Sequence, residues 1–332
     1  MKIVIATGIY PPEVGGPSYY AKGLEDALRR VGHTVEVVVY GDLRRYPMGL
    51  SHLGYFFRIW PSLKGADAVI ALDTASVAIP SWLAARLRRV PFVIRTGGDF
   101  VWEHYLERTR ELIPLPFFYD ERRALSSKEQ LIYALTRFVV RRSTMVFSTE
   151  MQRDVWLRPY GIASARTRII ENAIEPPLPS EPASGKNFLW YVRDIAMKNG
   201  AHVRAGFEKA KTMHAEITLE SGSVPKAELL ERMKRCYAVI LPSVTEISPN
   251  YILDALRFKK PFIMDKYSGL ARALAPYGTL VDPLDESDIA RAIAVLATDE
   301  GYADALSRAA QFSRLRTYDD VAKDFIVLIE QL

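Results

Sequence analysis

Two basic residues follow the first strand that we predict in the second half of the chain. The apolar run Phe188–Val192 has the length of a buried strand, Arg193 follows it directly, and Lys198 comes after four intervening residues. Ligands of parallel α/β sheets bind at the carboxyl ends of the strands. Two cations at such an edge suit a diphosphate better than a carboxylate. We therefore predict phosphate contacts for Arg193 and Lys198, with a solvated loop as the alternative.

Two acidic residues follow a later strand of the same half. The run Ala238–Leu241 predicts a strand, Glu246 lies in the loop after it, and Asp254 lies about one turn into the next helix. Both can reach the ligand site at the carboxyl ends of the strands. The alternative is an acid that caps a helix and a charge on the surface of that helix.

A glycine pair lies in the loop between the first strand and the first helix. This loop covers Thr7–Tyr19 and contains Gly15 and Gly16. Paired glycines allow backbone N–H groups to approach an oxyanion, and the following helix N-terminus favours negative charge. The spacing does not match G-x-G-x-x-G, which disfavours a dinucleotide dehydrogenase. Phosphate contact and a plain strand-to-helix turn both stay open.

The elements that would position these residues alternate along the chain. Short apolar runs are followed by longer helical patterns, which predicts an α/β fold with parallel sheets covered on both faces. Residues 176–186 hold four prolines and small polar residues, which predicts a linker. We expect two Rossmann-like domains facing each other across a cleft. These are an acceptor-side domain over residues 1–175 and a donor domain over 187–315, and a last helix over 316–332 is expected to pack on the first domain.

The composition disfavours several classes of protein. The single cysteine, Cys236, allows neither a disulfide framework nor a cysteine-based zinc site, and the five histidines lack metal-ligand spacing, so no metal is expected. The net charge is +5, but no Lys/Arg block resembles a nucleic-acid-binding arm. The chain opens on a predicted strand and has no apolar run long enough to span a membrane. We expect a cytoplasmic protein without a nucleic-acid partner.

In this order and on these elements, the motifs resemble the family-4 retaining glycosyltransferases of the GT-B architecture, the glycosyl transferases group 1. The glycine loop and the sequence Gly-His-Thr-Val over residues 32–35 resemble the family's entry to its second strand. Residues 169–173, Ile-Ile-Glu-Asn-Ala, resemble I-x-N-G before the linker. The pair Arg193-x4-Lys198, and Pro242-Ser243 with Glu246-x7-Asp254, resemble the donor-domain motifs, so that the resemblance covers nearly the whole chain.

The resemblance implies a mechanism. A sugar would pass from a UDP- or GDP-linked donor to a glycan or lipid-linked acceptor with retention of the anomeric configuration, and no metal or other cofactor would be needed. Arg193 and Lys198 would neutralise charge on the leaving diphosphate, Glu246 would contact the donor sugar, and Asp254 would contact the ribose. Gly16, with Gly15, would bring backbone amide groups to the phosphates.

Two departures from the family pattern concern the donor side. Asp254 stands where the family has a glutamate, and Pro249 stands where it usually has a glycine. Proline has no N–H, so Ser248 or Asn250 would have to supply the lost polar contact. In addition, residues 217–236 are shorter than the family pattern by about one strand–helix unit, which predicts a shortened second domain.

The acceptor side also departs from the family pattern. Gly97 aligns with the usual histidine, and Asp99 is the nearest polar candidate, together with Arg95 and His104. The stretches Leu43–Lys64 and Trp102–Arg142 mix aromatic residues with arginines. Such segments can lie on anionic membranes, and the alternative is an ordinary helical surface over a core. Peripheral contact with the inner face of a membrane is therefore a hypothesis.

Two other functions are open. A non-catalytic relative would bind a sugar nucleotide or act as a scaffold without turnover, which the departures at Pro249 and Asp254 favour. A sugar-nucleotide epimerase shares the architecture and would convert the donor without an acceptor. The pair Arg193 and Lys198 argues against the epimerase.

Overall fold

A computed structural model describes residues 1–13 and 15–332. The chain forms two compact units. The first contains Met1–Val101, Arg123–Ala173 and Arg316–Leu332, and the second contains Trp102–Arg122 and Ile174–Leu315. Residues 102–122 thus group with the second unit, although they precede the predicted linker by more than fifty residues in the sequence. The reason is that this segment bonds to loops of the second unit, as described below.

The first unit is built on a six-stranded parallel sheet in the order β2-β1-β3-β4-β5-β6. Its strands are β1 (Lys2–Thr7), β2 (Thr34–Val39), β3 (Ala68–Ala71), β4 (Phe92–Arg95), β5 (Thr144–Phe147) and β6 (Thr167–Ile169). The central strands are continuous apolar runs because helices cover both faces of the sheet. The register pairs Ile3 with Val35 of β2 and with Ala68 of β3.

Seven helices lie among the first 173 residues that the structure describes. They are α1 (Gly16–Arg30), α2 (Met48–Ile59), α3 (Ala78–Arg88), α4 (Phe100–Thr109), α5 (Leu115–Phe118), α6 (Ser127–Val140) and α7 (Glu150–Tyr160), with short 3-10 turns at Gly41–Arg45 and Ser164–Arg166. Their termini follow local chemistry. Ser126 and Glu129 form a reciprocal capping box at the start of α6, and Gly161 ends α7 in the left-handed region at φ 64°.

The second unit is built on a five-stranded sheet in the order β11-β10-β9-β7-β8, and all its pairings are parallel. The strands are β7 (Asn187–Tyr191), β8 (Thr218–Gly222), β9 (Ala238–Leu241), β10 (Phe262–Asp265) and β11 (Thr279–Val281). The helices are α8 (Gly200–Lys211), α9 (Lys226–Arg235), α10 (Asn250–Arg257), α11 (Ala271–Leu274), α12 (Glu286–Ala297) and α13 (Asp299–Ala310), with 3-10 turns at Ala196–Lys198 and Ala275–Tyr277. One core lies under α8 and α12, and another lies under α9 and α10.

The last helix, α14 (Tyr318–Ile329), belongs to the first unit. It shares a core with α1, and its Tyr318 ring lies so close to Gly23 that a Cβ atom there would be 2.4 Å from the ring. Arg30 of α1 forms an ion pair with Asp319, 2.6 Å apart. The glycine therefore allows the two helices to approach each other closely. Among the described residues, no helix has both the length and the apolar composition that crossing a membrane requires.

Candidate active site

Three neighbouring strands of the second sheet end at one edge, and the predicted donor-side residues lie in the loops that follow them. The strands are adjacent in the order β10-β9-β7. The loop after β7 carries Arg193 and Lys198, the loop after β9 carries Glu246, and β10 ends at Asp265. Residues separated by up to 72 positions in the sequence therefore share one edge because the strands are parallel and adjacent.

Lys198 and Glu246 are in direct contact. The Lys198 ammonium donates to Oε1 of Glu246, and the Ser243 hydroxyl donates to the same oxygen at 2.6 Å. The lysine and glutamate side chains keep 17% and 11% of their surface exposed. The pair is thus held by the protein and still open to a ligand. The other Glu246 oxygen and two lysine protons stay available to a bound molecule.

Asn199 fixes the position of Lys198, and it is not among the site residues predicted from the sequence. It adopts the left-handed conformation at φ 61° and is buried. Its side-chain amide donates to the carbonyl oxygens of Pro242 at 3.0 Å and Pro283 at 2.5 Å. The β7 loop is thereby tied to the loop that carries Glu246. Asparagine tolerates this backbone conformation better than most residues, and the Asn-Gly pair in the sequence was the available signal.

Asp265 is a buried carboxyl group beside the Lys198–Glu246 pair. Its side chain is fully buried, and neither oxygen has a hydrogen-bond partner of ordinary geometry among the described residues. Burial, and then the nearby Glu246 charge, raise the pKa of Asp265 well above the usual range, while the Lys198 charge opposes this shift. The backbone amides of Tyr267 and Glu246 lie near enough to oppose it as well. No motif in the sequence indicated this group.

We expect the change Asp265→Asn to stabilise the chain at neutral pH by roughly 1–3 kcal/mol, because the buried carboxyl group must either keep its proton above its ordinary pKa or bury a charge, and an amide does neither. The folded chain holds the Asp265 proton more tightly than the unfolded chain. Its contribution to stability is therefore complete below the ordinary pKa of 3.8 and is lost as pH rises towards the raised folded-state pKa. The stability gain of the variant over the wild type should consequently grow between pH 4 and pH 8. Denaturant unfolding at several pH values measures it, and a gain that is independent of pH would contradict this assignment.

Arg193 supplies a second cation at the same edge. Its side chain is exposed and has no hydrogen bond or ion pair with any described residue. Its carbonyl oxygen accepts from the Ile195 amide at 3.0 Å, which turns the chain towards Lys198. An unpaired guanidinium beside a paired lysine suits a ligand with more than one negative charge.

The 102–122 segment lies against the loops of this edge. Glu107 accepts from the Ala196 amide at 2.8 Å, which holds the turn that carries Lys198. The Leu115 amide donates to the Thr245 hydroxyl at 3.0 Å, next to Glu246 in the sequence. The Phe117 ring packs edge-on against Tyr267, with ring centroids 5.4 Å apart. These bonds explain why the segment groups with the second unit.

Asp254 has partners inside the second unit. Its Oδ1 accepts from Arg257 at 3.0 Å, and its Oδ2 lies 3.4 Å from the Lys226 ammonium. Arg257 also binds Glu175 at 2.7 Å and the Pro176 carbonyl at 2.9 Å. The carboxylate therefore helps to join α10 to the start of the predicted linker. A ribose hydroxyl would have to share the carboxylate with these partners, and Oδ2 has the longer of the two contacts.

The other predicted donor-binding positions lie at helix starts. Helix α10 begins at Asn250 after Pro249, and no side chain caps it. Asn250 is exposed and Ser248 is half-buried, so both can meet a ligand at this helix end. In the first unit, Gly15 precedes α1, which also lacks a side-chain cap, and Gly16 is its first residue. A Cβ atom at Gly15 would lie 3.0 Å from the Ile9 side chain, so a larger residue would crowd the loop.

The three acceptor-side candidates fall in two units. Arg95 is buried in the first unit, donates to Asn172 at 2.6 Å and lies 4.0 Å over the Tyr20 ring. Asp99 is buried there as well and accepts from the Val101 amide at 3.0 Å and from a tyrosine hydroxyl. His104 is half-buried and belongs to the second unit. Arg95 and Asp99 therefore act first as internal supports of the loop after β4.

Comparison with known proteins supports the same fold. Residues 215–312 match the family described as glycosyl transferases group 1. No curated protein sequence is significantly similar to the chain. The matched region includes Glu246 and Asp254 and begins after Arg193 and Lys198.

Solved structures match along nearly the whole chain. Sucrose-phosphate synthase from Thermosynechococcus elongatus has a TM-score of 0.71 at 14% identity and covers 100% of this chain and 99% of its own. WaaG, a glycosyltransferase involved in lipopolysaccharide biosynthesis, has a TM-score of 0.69 at 13% identity. The match covers 98% of this chain and 99% of WaaG. The lipopolysaccharide outer core galactosyltransferase WaaB has a TM-score of 0.65 at 13% identity, over all of both chains. At this identity the likeness establishes the fold. Residues 215–312 therefore match the glycosyl transferases group 1, and the whole chain has the fold of the GT-B glycosyltransferases.

Proposed function

We propose that the chain is a retaining glycosyltransferase that moves a sugar from a UDP- or GDP-linked donor to a glycan or lipid-linked acceptor. The observation that carries this proposal is the cluster at the carboxyl ends of β7 and β9. There, Lys198 contacts Glu246, and the exposed Arg193 has no partner among the described residues. Such a cluster can bind a diphosphate through the cations and a sugar hydroxyl through the carboxylate.

In the proposed reaction, the bond between the anomeric carbon and the diphosphate oxygen breaks as the acceptor oxygen bonds to the same face of the sugar. Negative charge grows on the leaving diphosphate. Arg193 and Lys198 neutralise this charge. Lys198 is already held in position by Glu246, so it needs little reorganisation. The lysine has three protons, so it can reach a phosphate oxygen while it keeps Glu246 in place.

Glu246 is the proposed contact of the donor sugar. The Ser243 hydroxyl and the Lys198 ammonium bind one of its oxygens, which leaves the other for a sugar hydroxyl. The acceptor proton can leave with the diphosphate oxygen, so the proposal requires neither a dedicated general base nor a metal or other cofactor. Gly15 and Gly16 are proposed to offer backbone amides to the phosphates.

The biological setting is also a proposal. WaaG and WaaB, which share the fold, are named for lipopolysaccharide synthesis, and this favours a glycan or lipid-linked acceptor and a role in glycan biosynthesis. Use of such an acceptor agrees with a cytoplasmic protein that works at the inner face of a membrane. Asp254 is proposed to share its Oδ2 atom with the ribose, with Ser248 and Asn250 beside the donor.

Incubation of the full chain with UDP- and GDP-sugars and a broad panel of acceptors tests the proposal. We expect release of the nucleoside diphosphate from one donor class, with a rate that rises when an acceptor is present. Binding without turnover would instead identify a non-catalytic relative. Conversion of the donor to an isomer without nucleotide release would identify an epimerase.

A further inference from the structure

Three adjacent helices of the first unit expose apolar side chains. Helix α3 packs against both α2 and α6, and the edge-on contact of Trp82 with Phe138, with centroids 5.5 Å apart, joins α3 to α6. Because crossover connections are right-handed, these helices lie on the face of the sheet opposite α1. The exposed apolar residues of this surface, called here the basic apolar face, are Leu50, Leu53, Phe57, Leu83, Leu87, Leu131, Leu135 and Phe138.

The exposure on this face is large. Phe57, Leu50 and Leu87 leave 64%, 62% and 60% of their surface in solvent, on helices that are otherwise well packed. A concentration of exposed apolar side chains on neighbouring helices marks an interaction surface rather than scattered surface residues. We therefore expect the face to bind a partner that buries apolar side chains.

The charge of the same face identifies the kind of partner. The three helices carry a single acidic residue, Glu129, which is buried in the capping box of α6. Two guanidinium groups stack on rings at this surface: Arg88 lies 4.2 Å over Trp60, and Arg142 lies 3.8 Å over Phe138. The other basic residues on or directly after these helices are Arg58, Arg86, Arg89, Lys128, Arg137 and Arg141. Arg58 forms an ion pair with Asp42, 2.8 Å away. A surface that combines exposed apolar residues with more basic than acidic side chains complements an anionic lipid surface.

A cavity of about 240 Å³ opens beside this face. Arg86, Arg142 and Arg166 line it, together with Trp82. None of the three arginines forms an ion pair with a carboxylate of any described residue. The cavity lies at the amino ends of β4 and β5, since residues 90–92 and Thr144 also line it. Three guanidinium groups around one cavity suit a phosphate group.

We propose that the basic apolar face docks the chain on a membrane that contains anionic phospholipids, with the arginine-lined cavity taking a headgroup phosphate. The surface differs from the one predicted from sequence. It includes α3, which the aromatic and arginine pattern did not single out, and it excludes residues 102–122, which group with the second unit. The inference deepens the proposed function, because docking would bring the chain to a lipid-linked acceptor. Vesicle binding can be measured without any sugar transfer, so the inference is tested independently of the proposed function.

Flotation of the full chain with phosphatidylcholine vesicles, with and without phosphatidylglycerol, tests the proposal. We expect binding only to the anionic vesicles and a loss of binding at high salt. The variants Leu87→Asp and Arg86→Glu should each lower the vesicle partition coefficient by about tenfold. Their controls are Val295→Asp on α12 and Arg272→Glu on α11, which change an exposed aliphatic residue and an exposed arginine in the second unit and should float like the wild type.

Several results would overturn the proposal. Wild-type chain that stays unbound with phosphatidylglycerol vesicles at low salt would do so, as would test variants that float like their controls. Self-association lost in Leu87→Asp, without vesicle binding, would identify a second copy as the partner. Binding of inorganic phosphate without vesicle binding would show that the cavity binds a free anion and that the face does not dock on a membrane. Vesicle binding by a chain that turns over no donor would contradict only the proposed function.

Discussion

Replacement of Arg193 by alanine should lower kcat/KM for donor turnover by roughly 10²–10³-fold while leaving the thermal midpoint unchanged. The two effects separate because the Arg193 side chain is exposed and bonds to no described residue, so the folded state loses nothing when it is removed. The leaving diphosphate loses one of the two cations proposed to bind it. Steady-state nucleotide release and a thermal melt measure the two quantities on one preparation.

The matched control is Arg272→Ala. Arg272 is also exposed in the second unit and has no hydrogen bond or ion pair with a described residue, but it lies on α11. It should keep wild-type activity. Equal losses in both variants would show that net charge, rather than the position of Arg193, sets the rate.

Replacement of Lys198 by alanine should cost a similar factor in kcat/KM, about 10²–10³-fold, and should also destabilise the chain by roughly 1–3 kcal/mol. The additional loss arises because Glu246 would lose its ion-pair partner in a largely buried place, beside the buried carboxyl of Asp265. Denaturant unfolding measures the stability, and nucleotide release measures the rate.

A second change separates these two roles of Lys198. Addition of Glu246→Gln to Lys198→Ala removes the unpaired charge and should recover stability without recovering activity. The control is Lys209→Ala on α8, where the lysine pairs with Glu286 at an exposed site, 2.7 Å away, and should contribute little. Recovery of activity in the double variant would contradict a direct role for the two side chains.

The architecture could be predicted because its signal is local. Continuous apolar runs bounded by helical patterns specify buried parallel strands, and the structure confirms the α/β fold with two parallel sheets. The position of Arg193 in the loop that follows β7 is predicted by the same pattern, although the strand ends one residue earlier than predicted, at Tyr191. The strand β11 gives only a weak signal in the sequence, since it has three residues, of which one is buried.

The contacts of the site could not be predicted, since they depend on strand order. Lys198 and Glu246 are 48 positions apart and meet because β7 and β9 are neighbours in the sheet. Asp265 ends an apolar run, and its burial beside Glu246 follows from the pairing of β10 with β9. The grouping of residues 102–122 with the second unit depends on individual bonds, such as that of Glu107 to the Ala196 amide at 2.8 Å.

The most direct test of the donor site measures how much more tightly the chain binds a nucleoside diphosphate than the corresponding monophosphate. Calorimetry with UDP and UMP, or with GDP and GMP, gives the ratio of the two affinities for the wild type and for the Arg193→Ala, Lys198→Ala double variant. We expect the diphosphate to bind the wild type about 10–100-fold more tightly than the monophosphate, and the ratio to approach one in the variant. An undiminished ratio in the variant would contradict the assignment of Arg193 and Lys198 to the donor diphosphate.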